Sequence, residues 1–129
     1  MAEKSVVRTD AAPGPFQGAP YSQAIRAGDL VFVAGQVGAK ADGSGIVGDG
    51  IEEQTEQVFA NLKAILEAAG SSLDRVVKTT VFLTDLDDFG AMNDIYRRHV
   101  GDSPPARSTV EVSRLPSGVK VEIEAIALA

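Results

Sequence analysis

Arg107, Thr109 and Glu122 are the residues of this chain whose types and spacing could do chemistry together. Arginine presents a planar fork of N–H donors that matches a carboxylate bidentately. Thr109 follows two residues on, so on an extended strand it shares a face with Arg107 about 7 Å away. Glu122 sits in the last apolar stretch, and a glutamate placed beside a reacting carbon can hold water or relay a proton. Pro104-Pro105 stiffens the entry to the Arg107 segment. If the two strands are neighbours, a guanidinium, a hydroxyl and a carboxylate line one small pocket fit for a small organic acid. Arg107 and Glu122 could equally pair with each other, and the sequence leaves both readings open.

Other constellations lack the context their chemistry requires. Gly43-Ser44-Gly45-Ile46-Val47-Gly48 matches the spacing of a dinucleotide-binding turn, but Asp49, Glu52 and Glu53 crowd the helix start where phosphate would have to sit. Asp85 to Asp88 has the look of a calcium loop, yet Phe89 and Tyr96 fall where ligands belong, so these acids read as a helix cap. One histidine and no cysteine leave no zinc set and no thiol nucleophile, and no metal or other cofactor is expected. His99 stands at a helix end with no triad motif around it and reads as structural or surface. Arg97-Arg98-His99 reads as cations complementing a helix C-terminus.

The formal charge of −6 and the absence of a basic face argue against a nucleic-acid partner. With 129 residues, 44% of them hydrophobic and 23% charged, the chain fits one domain, residues 1–129, with a core of its own. No apolar run is long enough to span a membrane, and Met1 to Val7 has no signal-peptide h-region, so the cytosol is the expected compartment.

The elements that must position these residues follow from periodicity and punctuation. Ser5–Thr9 is a short extended candidate, and Gln23–Ala27 and Leu30–Ala34 flank a Gly28-Asp29 hairpin turn. Gly35 to Gly50 reads as a glycine-rich loop with a short strand at Ile46-Val47. Ile51, Thr55, Val58, Phe59, Leu62, Ile65, Leu66 and Ala69 form one helical stripe, with Asp49 as N-cap and Gly70 as stop. Arg75–Thr84 reads as a central strand. Asp87–Val100 reads as a second helix burying Phe89, Met92, Ile95, Tyr96 and His99, and Ala106–Val112 and Val119–Ala127 as the final strands.

The order ββ(β)αβαββ implies an α+β fold, a mixed sheet with two helices on one face. Alternation puts Val119, Val121, Ile123, Ala125 and Ala127 under the helices. The same logic, placing Ser108, Val110 and Val112 inward, puts Arg107, Thr109, Glu122 and Glu124 together on the open face. Phe82, Ile126 and Leu128 share that face, and apolar surface mixed with charge implies an oligomer.

Five segments in register carry a resemblance: Pro20-Tyr21-Ser22-Gln23-Ala24, Ala34-Gly35-Gln36, Val77 to Leu83, Pro105 to Val112 and Glu122-Ile123-Glu124-Ala125. Together they resemble the YjgF/RidA family of enamine/imine deaminases, also known as the endoribonuclease L-PSP family, over essentially the whole chain. The resemblance implies a chorismate-mutase-like fold, a homotrimer with clefts between subunits, and cofactor-free hydrolysis of 2-aminoacrylate or 2-iminopropionate to 2-oxo acids and ammonia. It implies Arg107 as carboxylate clamp, Glu122 as the acid handling water, and Tyr21, Gly35, Asn93 and Thr109 as substrate-binding positions. Ala34 stands where many relatives carry Ser, and Thr109 where many carry Cys. A non-catalytic binder of small 2-oxo acids and an RNA-cleaving translation inhibitor are the rival functions.

Overall fold

A computed structural model describes residues 3–129. Six strands form one sheet: β1 (Lys4–Val7), β2 (Ala24–Ala27), β3 (Leu30–Gln36), β4 (Val76–Leu83), β5 (Ala106–Glu111) and β6 (Val121–Leu128). Their spatial order is β1-β2-β3-β6-β4-β5, antiparallel throughout except for the parallel β4–β5 pair at one edge. Helices α1 (Ile51–Ala68) and α2 (Phe89–Val100) cover one face, and α2 is the crossover that makes β4 and β5 parallel. This is the expected α+β architecture.

The core lies between that face and the helices. The α1 stripe expected from periodicity is buried throughout, and its Phe59, Leu62, Ile65 and Leu66 meet Val31, Val81, Leu83, Val121 and Ile123 of the sheet. The N-cap of α1 is Gly50, not Asp49. The Glu53 carboxylate reaches back to accept the Gly50 N–H at 2.8 Å, which leaves Asp49 outside the cap. Gly70, at φ +80°, ends the helix as read.

β1 stops at Val7 and does not run to Thr9, because a side chain takes over the pairing. Gln23 accepts from the Thr9 N–H at 2.8 Å and donates to the Thr9, Ala12 and Pro13 carbonyls. The Ile46-Val47 strand reduces to a single bridge between Ala39 and Ile46. Buried polar side chains of α1 pin this loop to the fold. Gln54 donates to the Gly48 carbonyl and accepts from the Lys120 N–H, and Asn61 donates to the Val37 and Ala39 carbonyls.

The face away from the helices is apolar for much of its width. Val6, Ile25, Phe32 and Ile126 stand in register across β1, β2, β3 and β6, and Phe82 registers with both Glu122 and Val110. Phe32, Val110 and Leu128 are each more than two-fifths exposed. No helix is long and apolar enough to cross a membrane among the described residues.

Candidate active site

The structure divides the expected pocket in two. β4 lies between β5 and β6, so Arg107 and Glu122 are not on neighbouring strands. They also face opposite ways. Arg107, Thr109 and Glu111 register with Thr79, Val81 and Leu83, whose side chains are buried toward the helices, whereas Glu122 registers with outward-facing Phe82. The expectation that Arg107 and Thr109 share the open face with Glu122 and Glu124 is therefore corrected, and pairing of Arg107 with Glu122 within the chain goes with it. Alternation misled because β5 is an edge strand. Its helix side carries the half-buried polar Arg107 and Thr109 at the margin of α2, while its outer side carries apolar Val110 onto an apolar face.

Arg107 stands over two rings of α2, its guanidinium carbon 4.7 Å from the Tyr96 ring centre and 5.4 Å from that of Phe89. Tyr96 is itself fixed, since its hydroxyl shares a 2.7 Å hydrogen bond with Thr79 Oγ1 inside the core. No carboxylate pairs with Arg107 among the described residues. Ring faces attract a guanidinium without occupying its N–H donors, so the donor edge stays free for an anion. The hollow beside it, about 280 Å³, is lined also by Asn93, Val100, Gly101 and Pro104. Asn93 Oδ1 is buried there without a donor. Phe89, Asn93 and Tyr96 line this side at helical spacing. Phe89, expected in the core, is 41% exposed because it serves Arg107 instead.

The second half surrounds Glu122. Its hollow measures about 340 Å³ and is lined by Phe16, Ala19, Tyr21, Ala34, Gly35, Val37 and Pro116. Burial, with a smaller contribution from the neighbouring Glu124 charge, raises the Glu122 carboxyl above its ordinary value of 4.5. Gly35 leaves room for this placement: a Cβ there would push the Glu122 carboxylate aside, its carboxyl carbon only 2.9 Å away. The Tyr21 hydroxyl accepts the Phe16 N–H at 2.7 Å. Of the expected site residues, Tyr21, Gly35 and Glu122 thus gather in one half and Asn93 and Arg107 in the other, with Thr109 further along the Arg107 face. Phe16, Val37, Phe89, Tyr96 and Pro116 were not singled out as site residues from the sequence. The repeated turn signals Pro15-Phe16-Gln17-Gly18 and Leu115-Pro116-Ser117-Gly118 were the available sign for two of them.

The remaining polar features are structural. His99 stacks on Phe59 with ring centres 4.6 Å apart and lies 3.3 Å from Glu56. Asp85 caps the turn leading into α2 by accepting the Asp87 N–H. A further hollow of about 370 Å³ beyond Tyr21 contains Asp42, whose carboxylate is engaged by Ser44. Among the described residues no cluster of three or more metal-ligating side chains occurs.

These features define a class, and comparison places the chain within it. The family model described as Endoribonuclease L-PSP matches residues 10–129. A RutC family protein of Pyrococcus abyssi is 53% identical over 124 residues, covering 96% of both chains. The mouse 2-iminobutanoate/2-iminopropanoate deaminase is 42% identical over 97% of this chain and 91% of its own. The crystal structure of RidA from an Antarctic Psychrobacter matches with a TM-score of 0.91 at 42% identity, covering 97% of this chain and 99% of that one. The chain belongs to the Endoribonuclease L-PSP (YjgF/RidA) family, which includes imine deaminases.

Proposed function

We propose that this protein hydrolyses 2-imino acids and their enamine tautomers to 2-oxo acids and ammonia, at sites completed between copies of the chain in a homotrimer. The observation that carries this is Arg107, a cation held by aromatic faces with its donor edge unspent. Such a group binds a small carboxylate. The relative named as an iminobutanoate/iminopropanoate deaminase supplies the reaction class.

The geometry also calls for a second copy. Arg107 and Glu122 are on opposite faces, so a ligand touching both takes them from different subunits. The exposed apolar residues of the open face, Phe32, Val110 and Leu128 among them, are a surface for such contact.

Arg107 of one copy fixes the substrate carboxylate and so orients the C=N carbon. Glu122 of the next takes a proton from water as the water oxygen bonds to that carbon, and the C=N electron pair moves to nitrogen, which receives that proton from Glu122. Glu122 then takes the proton of the new hydroxyl and passes it to the same nitrogen. The C–N bond breaks with ammonia as the leaving group while C=O forms. Substrate plus water thus gives 2-oxo acid plus ammonia, with no redox partner. Positioning and proton transfer are the two contributions required.

The test is a coupled assay in which a lyase releases aminoacrylate and 2-oxo acid formation is followed. The parent protein is expected to accelerate hydrolysis, and Arg107→Ala and Glu122→Gln to lose most of that acceleration. Tight 2-oxo acid binding without turnover would instead make the chain a metabolite binder. RNA cleavage that survives repurification and is lost with Glu122→Gln would restore the nuclease reading.

A further inference from the structure

β3 is irregular where it passes Glu122. Val33 pairs with Ala125 and Gln36 with Ile123, so Ala34 and Gly35 together face Glu124 alone. Two residues against one make a β-bulge, which bends a strand and re-aims its side chains. The consequence here is a change of parity. Val31 and Val33 point to the helices, and unbroken alternation would send Gly35 inward and Gln36 outward. With the extra residue Gln36 turns inward instead, 5% exposed and opposite buried Ile123. Ala34 and Gly35 are left beside Glu122.

Core packing does not account for a glutamine at this inward position. An apolar side chain would suit the site, whereas a buried amide is tolerated only where it is hydrogen-bonded. Gln36 directs its amide at the bulge, Nε2 donating to the Ala34 carbonyl at 3.1 Å. The Ala34 N–H donates at 2.9 Å to the carbonyl of Gln23. Gln23 is itself fixed, since its buried side chain bonds to the backbone of Thr9, Ala12 and Pro13. Both backbone polar groups of Ala34 are therefore held. Gly35 follows directly, and the space its Cβ would take is filled by the Glu122 carboxylate.

We propose that Gln36 is a positioning residue: its side-chain amide locks the bulge that seats Gly35 against Glu122, and so fixes where that carboxylate stands. Gln36 points to the helix side of the sheet and Glu122 to the open face, so the effect passes through the backbone of Ala34 and Gly35. Without the clamp the two bulged residues can settle differently against β6, and the carboxylate loses its seat and turns toward water. This inference rests on the proposed proton transfer by Glu122 and adds what holds that group in place.

The experiment uses Gln36→Met, which keeps the length of the side chain and removes its donor. Imine hydrolysis is expected to lose about tenfold in kcat with KM little changed, the scale of a misplaced group. The acid limb of kcat/KM should move down toward 4.5 as the carboxyl gains water, while the melting temperature holds or rises. Gly35→Ala displaces Glu122 directly, so adding Gln36→Met to it should cost little more. NMR titration of carbon-labelled glutamate reads the Glu122 carboxyl without turnover. A parent that hydrolyses no imine, with the Glu122 titration shifted by Gln36→Met, sinks deamination and keeps the positioning role. Hydrolysis in the parent, with rate and titration unmoved by Gln36→Met, does the reverse. Activity lost only in proportion to folded protein, or fully additive losses with Gly35→Ala, also overturns the role. Gln36→Leu, likewise suited to the core, repeats the measurement should the methionine variant fail to fold.

Discussion

The two halves of the candidate site handle charge in opposite ways. At Arg107 the charged form is stabilised by two aromatic faces and left accessible. At Glu122 the charged form is penalised by burial and by Glu124. A group that must bind a carboxylate needs a permanent charge with its donors free, and ring faces supply attraction without competing for those donors. A group that must take and return a proton needs a pKa nearer the working pH, and partial burial moves a carboxyl that way. Binding and proton transfer thus call for different environments, and the sheet keeps the two residues on opposite faces.

The largest effect expected on this contrast is in the turnover rate. Glu122→Gln keeps shape but removes the base, and kcat should fall about 10²-fold or more, with KM little changed. The parent's kcat/KM should decline with falling pH on a limb displaced upward from 4.5, since the ionised form is the active one. A limb at the ordinary carboxylate position would remove Glu122 from that role. Next comes Arg107→Ala, where loss of a bidentate charge-assisted contact should raise KM by about 10²-fold. Unfolding and reassembling equal amounts of the two inactive variants together tests the division itself. If each site takes Arg107 and Glu122 from different subunits, random mixing regenerates intact sites at roughly a quarter of the interfaces. No recovery above the separate variants would place both residues in one subunit's site.

The aromatic bracket should show smaller effects. Phe89→Leu removes an exposed ring face, and KM for the substrate is expected to rise a few-fold with kcat held, consistent with about 0.5–1 kcal/mol for an exposed cation–π contact. Tyr96→Phe retains the ring and should leave KM in place, while losing the Thr79 hydrogen bond at a cost of about 1 kcal/mol in stability. A rise in KM with Tyr96→Phe would mean that the hydroxyl, not the ring face, positions Arg107.

Legibility in the sequence followed the same division. The α1 stripe and the inward set of β6 could be read because both elements lie centrally, with one side against the core, where periodicity reports burial directly. β5 could not, because an edge strand at the margin of the helix layer obeys no simple inside–outside rule, and the spatial order that inserts β4 beside it is a property of the crossover. Arg107 and Glu122 were therefore read onto a common face that they do not share. Phe16 and Pro116 were missed as walls since their role comes from two turns far apart in sequence. The orphaned Asn93 Oδ1 is likewise a fact of packing.

The smallest effect concerns stability, and its sign follows from the raised Glu122 carboxyl. In the unfolded chain this group ionises near 4.5, and in the folded chain at higher pH. Between the two values the folded state holds more protons, so stability falls as pH rises through that window. Below 4.5 both states are protonated and burial of the neutral acid costs little. Above the folded value both are ionised and the full penalty applies. Glu122→Gln removes that penalty and should raise the melting temperature at neutral pH, by an amount that shrinks on acidification and vanishes below about pH 4. Thermal unfolding of parent and variant across pH 3.5 to 8 measures it. A variant less stable than the parent at neutral pH, and equally so in acid, would mean that Glu122 makes favourable contacts in the assembled protein, and the view of it as a strained, poised acid would fall.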